Sequence, residues 1–334
     1  MYALEICKTL SEDLNDKIKI GEIHSVFDTS FNIILENGRL ITVAHASRPI
    51  NHYSVTVPYS QSFKLIGLIR GQKVKFFPMY FEIQDVGLRV YLKSAAKWKS
   101  SPDFSFVPAS SENLQKKSDA LAFFLVREGH QAGIYPLLQC LIQELPPISS
   151  LFSDPVPFIE KETVIKDRFL QFMRLFPKYY SSLISSVVPK NTDLSSSDDI
   201  LQEIHRAACL IIGFGFGLTP HMDDFLAGLM SASVYGSIYA ENSLDKILSL
   251  NQEIIRNCEQ LTTKVSHEML LYSAAGKSNK ALRDVLENVF NDESSPSSGY
   301  YFRKVNELGA SSGTDTLLGV YTGLSIIIQT LNSR

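Results

Sequence analysis

The sequence predicts an α+β protein, with a small antiparallel β-barrel or sandwich at the N-terminus and a mostly α-helical region after it. Two observations predict this class. Short strand patterns, separated by glycine and proline, fill the chain up to Trp98. From residue 113 onward the apolar residues recur at helical spacing. We therefore expect a β-rich domain over residues 1–99, a linker over residues 100–112 and an α-helical domain over residues 113–334.

The N-terminal region begins with a predicted amphipathic helix over residues 1–16 and continues as short strands. Two of these strands flank Asn37-Gly38, a dipeptide typical of a two-residue type I′ hairpin turn. Strands at this spacing favour a small antiparallel barrel or sandwich. The expected strands are Phe31–Glu36, Arg39–Ala44, Tyr53–Val57, Lys64–Ile69, Lys73–Phe77, Tyr80–Ile83 and Leu88–Leu92.

The second region follows a linker rich in serine, proline and aspartate. Its apolar residues keep the 3.6-residue period of helices, and two serine-rich stretches, Ser181–Ser197 and Asp292–Ser298, are expected to be loops. The expected helices are Ala120–Glu128, Tyr135–Leu145, Glu160–Phe176, Ile200–Ile212, Asp223–Tyr239, Leu244–Asn257, Lys264–Ala275, Asn279–Phe290 and Thr314–Leu331.

Composition excludes several classes of function. The net charge of −3 gives no electrostatic reason to expect a nucleic-acid partner. The longest apolar runs, Ala207–Pro220 and Leu317–Leu331, are shorter than the roughly 18 residues of a membrane span. The four cysteines are far apart, which argues against a zinc site or a disulfide framework. Glu5 and Lys8 stand where a signal peptide would be apolar, so we expect a cytoplasmic protein without a membrane partner.

A glycine-rich turn that feeds a helix is the strongest candidate for a functional site. It reads Gly-Phe-Gly-Phe-Gly-Leu-Thr-Pro-His-Met-Asp-Asp over residues 213–224. Its glycines can take positive φ and let the backbone approach a ligand closely. Thr219 is a good N-cap and Pro220 suits the first helical position. The three glycines are Gly213, Gly215 and Gly217.

Acidic residues follow this turn at the start of the helix. Asp223 and Asp224 fall in the first turn, where free backbone N–H groups can hold a phosphate or carboxylate. These carboxylates could instead hold Mg²⁺. His221 could be an acid–base group, an anion ligand or a solvent-facing residue. The structural alternative is a helix start with acidic residues suited to the macrodipole, worth about 0.3–1 kcal/mol each.

A second glycine-rich turn has the same order of features as the first: a helix end, a turn, a capping hydroxyl and an aspartate. Gly-Ala-Ser-Ser-Gly-Thr-Asp, over residues 309–315, ends in a capping hydroxyl, Ser312 or Thr314, and Asp315. Asp224-Phe-Leu-Ala-Gly and Asp315-Thr-Leu-Leu-Gly share the pattern D-x-L-x-G, which puts Asp and Gly on one face of a helix. We expect the two helices to pack together and bring their N-termini to one pocket for a small dianion. The alternative is a chance match between helix-packing glycines.

A third segment, Thr-Thr-Lys-Val-Ser-His over residues 262–267, is a helix start with polar side chains. Thr263 and Ser266 are candidates for the same pocket, and a purely structural cap by Thr262 or Thr263 is the alternative. Ser266 and His267 are adjacent on the helix and do not face each other, so they form no nucleophile–base pair.

The three motifs, taken in their order along the chain (213–224, 262–267, 309–315), resemble the AllH family. The run Ile23-His-Ser-Val-Phe27 and the hairpin at Asn37-Gly38 also look like that family. The resemblance implies a subunit of oxamate carbamoyltransferase, which interconverts oxalurate and phosphate with oxamate and carbamoyl phosphate at the end of allantoin breakdown. It further implies AllG-like and FdrA-like partner subunits. The chain departs from the family at His221-Met222, where members commonly have Ser-Gly. We expect the larger side chains of His221 and Met222 to narrow any pocket beside Asp223.

We therefore expect a small-anion site with aspartates as its catalytic groups. No cofactor is firmly implied, and Mg²⁺ is the one that the carboxylates could hold. The alternatives are a noncatalytic scaffold or anion-binding subunit and a Mg²⁺-dependent hydrolase. The catalytic candidates are Asp223, Asp224 and Asp315, and the substrate-binding candidates are Gly213, Gly215, Gly217, Thr219, His221, Thr263, Ser266, Ser311, Ser312, Gly313 and Thr314.

Overall fold

The computed structural model describes residues 1–15, 18–137, 160–185, 197–241, 243–294 and 299–334. They form two compact units, an N-terminal unit of residues 1–101 with 278–280 and a helical unit of residues 102–277 with 281–334. The predicted α+β class is confirmed, because a curled nine-stranded sheet precedes a mostly helical region. The predicted helix Tyr135–Leu145 lies largely outside the described residues, as do most of the predicted loop Ser181–Ser197 and residues 295–298 of the loop Asp292–Ser298.

The N-terminal unit is built on one sheet, in the order β8-β7-β6-β2-β3-β4-β5-β1-β9. Most neighbours are antiparallel, and the pairs β4–β5 and β1–β9 are parallel. Alternation sorts the side chains, since Val74 and Phe76 of β6 are buried whereas Lys73 and Lys75 are exposed. The strands are β1 Glu5–Cys7, β2 Lys19–Val26, β3 Ser30–Leu35, β4 Leu40–His45, β5 Ser54–Val57, β6 Lys73–Phe77, β7 Tyr80–Ile83, β8 Leu88–Tyr91 and β9 Ala96–Trp98.

Three local predictions in this unit are wrong. Gly38 has a φ of 78°, but Asn37 is not among the residues with positive φ, so the hairpin lacks the type I′ turn. The predicted strand Lys64–Ile69 is a 3₁₀ helix, Phe63–Ile66, because Ser62 caps its start and Gly67 ends it in the left-handed region. The predicted helix over residues 1–16 begins later, at Lys8, because Glu5–Cys7 pair with two strands of the sheet.

The helical unit holds one hydrophobic core, which extends from Ala109 to Ile328. Within the described residues no helix combines the length and the apolar character needed to cross a membrane. Counting α1 of the N-terminal unit, the helices are α1 Lys8–Asn15, α2 Ser111–Glu128, α3 Glu160–Ile184, α4 Ser197–Cys209, α5 His221–Gly236, α6 Leu244–Ile254, α7 Lys264–Ala274, α8 Lys280–Phe290, α9 Gly299–Asn306 and α10 Ser312–Asn332.

Helices α5 and α10 form the centre of this core and pack directly against each other. Every residue of α5 from Met222 to Gly236 is buried, as expected for a helix that is apolar on all sides. A Cβ placed on Gly228 would lie 2.0 Å from the carbonyl oxygen of Thr316, and one on Gly319 would lie 2.0 Å from that of Phe225. The glycines of the two D-x-L-x-G patterns therefore let the backbones touch, and the predicted packing is confirmed.

Candidate functional site

The glycine turn before α5 depends on glycine for its backbone shape. Gly213, Gly215 and Gly217 have φ of 78°, 122° and 95°, a region that other residues avoid. A Cβ on Gly213 would lie 1.9 Å from the Leu261 carbonyl oxygen. A Cβ on Gly215 would lie 2.5 Å from the backbone nitrogen of His221. The turn is thus held between α5 and the segment before α7.

The backbone of this turn presents hydrogen-bond donors. Within the described residues, no acceptor is found for the N–H groups of residues 215–219. The side chains of Phe214, Phe216 and Leu218 point outward and are 40%, 88% and 42% exposed. A row of unpaired N–H groups beside a helix N-terminus is a suitable surface for an anion.

The predicted caps at both helix starts are wrong. Pro220, not Thr219, occupies the N-cap position of α5, and Ser311 occupies that of α10, neither with a side-chain cap. The hydroxyl groups are engaged across the site instead, since Thr219 Oγ1 lies 3.2 Å from Ser312 Oγ. This contact brings the two helix N-termini to one place, as predicted.

Asp223 ties three segments together at the base of the turn. Its buried carboxylate accepts a hydrogen bond of 2.7 Å from the Gly213 N–H and one of 2.6 Å from Ser266 Oγ. The Thr262 hydroxyl donates a further bond to Oδ2. Burial raises the pKa of Asp223 even though these donors favour its ionised form. All donors come from the protein itself, so this carboxylate organises the site.

The third motif reaches the site through α7. Thr263 caps α7 by accepting a hydrogen bond of 3.1 Å from the Ser266 N–H, and its hydroxyl donates to the carbonyl of Leu218. Lys264 forms an ion pair of 3.1 Å with Glu268 rather than with an aspartate. Thr263 and Ser266 therefore hold the glycine turn against α7.

Asp315 is completely buried in the first turn of α10. Its Oδ2 lies 2.9 Å from His221 Nδ1, and its Oδ1 accepts a hydrogen bond of 3.0 Å from the N–H of Ile134. Burial raises the pKa of Asp315, and the hydrogen bond that His221 donates to Asp315 raises the pKa of His221.

The remaining residues of the second turn hold its shape. The Gly313 N–H donates to the carbonyl of Leu308, and a Cβ on Gly313 would lie 2.0 Å from the Val305 carbonyl oxygen. Thr314 Oγ1 accepts from the N–H of His130 and donates to Asn306 Oδ1, at 2.9 and 2.6 Å. Ser311 Oγ lies 3.1 Å from His221 Nδ1. Ser311 and Ser312 thus face the first motif, whereas Gly313 and Thr314 face α9 and the segment after α2.

Asp224 differs from the other two aspartates because one oxygen is left without a partner. Its carboxyl is 3% exposed, and its Oδ2 makes no hydrogen bond within the described residues. Burial raises its pKa well above the ordinary range, the hydroxyls of Ser312 and Thr219 oppose the shift, and the charge of Asp315 adds to it. Buried polar groups in native proteins nearly always have a hydrogen-bond partner, and a bound ligand would provide the partner that this oxygen lacks.

Some residues of the site carry no signal in the sequence. His130, Gly133 and Ile134 belong to no motif, although a Cβ on Gly133 would lie 2.4 Å from Asp315 Oδ1. Asn306 is the last residue of α9, a helix that the periodicity missed. Thr262 was expected only as an alternative cap of the third motif's helix, whereas its hydroxyl donates to Asp223.

The charge balance of the site is acidic. Within the described residues, no Lys or Arg forms an ion pair with the three aspartates. Nor does this part of the chain contain a group of three or more His, Cys, Asp or Glu residues arranged to hold a metal ion. Burial raises the pKa values of all three aspartates.

Comparison with known families places this arrangement in context. The model described as oxamate carbamoyltransferase subunit AllH matches residues 211–324, which include both glycine turns and all three aspartates. The model described as the AllH family N-terminal domain matches residues 2–97. No curated protein and no solved structure matches the chain. The word subunit in the family description implies a multi-subunit complex. Two matches that together cover more than half of the chain show that it belongs to the AllH family, which is named for a subunit of oxamate carbamoyltransferase.

Proposed function

We propose that this chain is a subunit of a cytoplasmic oxamate carbamoyltransferase in allantoin and purine breakdown. The enzyme interconverts oxalurate and phosphate with oxamate and carbamoyl phosphate. Its substrate site is the junction of the N-termini of α5 and α10, and AllG-like and FdrA-like subunits complete the complex. Family membership supports the reaction, and the geometry of the junction supports the place.

The observation that carries the proposal is the unpartnered Oδ2 of the buried Asp224 carboxyl. It lies where the hydroxyls of Thr219 and Ser312 meet. An ionised carboxylate would repel oxamate, oxalurate or phosphate, but burial raises the pKa of Asp224 well above its ordinary range and so favours the neutral carboxyl. A neutral carboxyl donates one hydrogen bond and accepts others, so it can bind a small anion directly.

The glycine turn supplies the second half of the site. Unpaired N–H groups of residues 215–219 can hold phosphoryl or carboxylate oxygens. The same donors can stabilise the negative charge that develops on the carbamoyl oxygen during transfer. Asp223, Thr263 and Ser266 keep the turn in place and do not themselves need to contact substrate.

The proposal is tested by reconstitution with the AllG-like and FdrA-like subunits and assay of carbamoyl phosphate formed from oxalurate and phosphate. Titration calorimetry with oxamate and carbamoyl phosphate gives binding separately. We expect Asp224→Leu to lose binding and activity, because it cannot donate a hydrogen bond. Asp224→Asn should retain much of the binding, since an amide replaces a neutral carboxyl as donor.

A matched control is Asp245→Asn, which changes an exposed first-turn aspartate of α6 and should behave as the wild type. Loss of binding in Asp224→Asn equal to that in Asp224→Leu would mean that an ionised carboxylate is needed, as for a Mg²⁺ ligand. Full activity of Asp224→Leu would remove Asp224 from the substrate site and favour a scaffold role.

A further inference from the structure

His221 has the surroundings of a positioned acid–base group. Its Nδ1 lies 2.9 Å from Asp315 Oδ2 and 3.1 Å from Ser311 Oγ. Asp315 is itself fixed by the N–H of Ile134 at 3.0 Å. One ring nitrogen is therefore oriented by a buried carboxylate that the backbone holds in place, an arrangement that recurs in enzymes in which histidine moves protons.

The opposite side of the His221 ring is available to a ligand. The side chain is 19% exposed, and within the described residues Nε2 makes no hydrogen bond. A Cβ on Gly215 would lie 2.6 Å from Cδ2, the ring carbon bonded to Nε2, so that edge of the ring lies over the glycine turn. The ring of Phe216 stands 6.5 Å away at 80° and flanks it. Nε2 is thus placed beside the unpaired N–H groups of the proposed substrate site.

The electrostatic surroundings favour a histidine that can hold a proton. The hydrogen bond and the charge of Asp315 raise the pKa of His221, and partial burial opposes them. Asp224 lies close enough to Asp315 for their charges to interact, and burial raises the pKa of Asp224 well above its ordinary range, which favours its neutral form. The segment before α7 and the turn itself contribute backbone and hydroxyl groups to this region rather than a cation.

We propose that His221, which stands where family members commonly have serine, is an acid–base catalyst particular to this chain and that Asp315 is its positioning residue; the assignment to carbamoyl transfer rests on the proposed function. The amide nitrogen of oxamate attacks the carbamoyl carbon of carbamoyl phosphate, forming the C–N bond. The C–O bond to phosphate breaks, phosphate leaves with the bonding electrons, and the nitrogen gives its proton to His221 Nε2. In reverse, a phosphate oxygen attacks the carbamoyl carbon of oxalurate, and His221 returns the proton to the leaving nitrogen.

The first test is kinetic and uses the reconstituted complex. His221→Gln should lower kcat on the order of 10²–10⁴-fold with little change in KM, because it removes proton transfer but keeps a neutral polar side chain. For transfer from carbamoyl phosphate to oxamate, in which His221 acts as the base, the acidic limb of the kcat–pH profile should lie at lower pH in Asp315→Asn than in the wild type. His205→Gln, a half-buried histidine of α4 outside the site, is the control and should match the wild type. Unchanged kcat in His221→Gln overturns the inference.

The second test does not depend on the reaction. NMR titration of imidazole-labelled chain should show a His221 pKa above that of an ordinary histidine, falling in Asp315→Asn. Ser311→Ala leaves the Asp315 carboxylate in place and should change the His221 pKa less than Asp315→Asn does. It is the second variant to measure if Asp315→Asn does not fold. Failure of the wild-type complex to transfer carbamoyl groups overturns the proposed function. An ordinary His221 pKa that neither variant changes overturns the dyad, whatever the reaction.

Discussion

At the scale of single residues, three buried aspartates of similar sequence context have three different environments. Asp223 accepts hydrogen bonds from Gly213, Thr262 and Ser266, and Asp315 is engaged by His221 and the backbone. Asp224 keeps an unpartnered oxygen. Because a carboxylate that is saturated by protein donors has little capacity for a ligand, these environments single out Asp224 for substrate and His221 for proton transfer.

Asp224 should make the stability of the protein depend on pH. Burial raises the folded-state pKa of Asp224 well above its ordinary value of 3.8, so between these two values Asp224 is ionised in the unfolded chain and protonated in the folded chain. Below pH 3.8, Asp224 is protonated in both states and does not make the free energy of unfolding change with pH. Between pH 3.8 and the folded-state pKa, Asp224 lowers the free energy of unfolding by about 1.4 kcal/mol for each pH unit.

We expect Asp224→Asn to remove this dependence, because an amide does not ionise. Urea unfolding gives the free energy of unfolding of the wild type and of the variant at pH 4 and at pH 7. The change between the two pH values is then compared between the two proteins. The wild type should lose more stability than the variant over this interval. An equal loss in both proteins would show that the Asp224 carboxyl is ionised in the folded state.

At the scale of elements, the site exists because α5 and α10 touch along their backbones. Gly228 and Gly319 each face a carbonyl of the other helix, and Gly323 faces Ala232. Close contact of the axes brings both N-termini to one place, where Thr219 meets Ser312 and His221 meets Asp315. The packing of the two helices and the geometry of the site are therefore coupled.

Gly228→Ala should damage both stability and function. Its methyl group would lie 2.0 Å from the Thr316 carbonyl oxygen, and this is a backbone atom that cannot rotate away. We expect a loss of about 1–3 kcal/mol or more by overpacking, measured by urea unfolding, together with weaker substrate binding. Gly299→Ala is the control, since a Cβ there meets nothing within 4 Å. Wild-type stability in Gly228→Ala would mean that the two helices are further apart than described.

At the scale of the whole molecule, every residue assigned to the site belongs to the helical unit. The contributing segments are 130–134, 213–224, 262–266 and 306–315, all within residues 102–277 and 281–334. The chain between the sheet and α2 is irregular from residue 99 to residue 107 and partly exposed. A break in this connection should leave the described site intact.

Cleavage of the connection between the two units should therefore leave binding unchanged. A specific protease site inserted between Ser101 and Pro102 allows the chain to be cut after it has folded. We expect the cut protein to bind oxamate and carbamoyl phosphate with the affinity of the uncut one, as measured by calorimetry. A large loss of affinity on cutting would show that the N-terminal unit contributes to binding.

The sequence alone determined the features whose cause is local. Positive φ at Gly213, Gly215 and Gly217, the cap by Thr263 and the pairing of the two D-x-L-x-G helices all follow from conformational preference or from spacing along one helix face. The helix starts were less predictable. Thr219 had the right chemistry for a cap, but tertiary contacts gave its hydroxyl a partner elsewhere.

Only the tertiary structure decided how the polar groups are paired. His221 and Asp315 lie 94 positions apart, and Ser266 lies 43 positions from Asp223, so no local preference connects them. Their partners were fixed when burial of apolar side chains brought α5, α7 and α10 together, because each buried polar group must then find a donor or acceptor among the neighbours it meets. The same burial left Asp224 without a partner for one oxygen, and that oxygen marks the candidate substrate site.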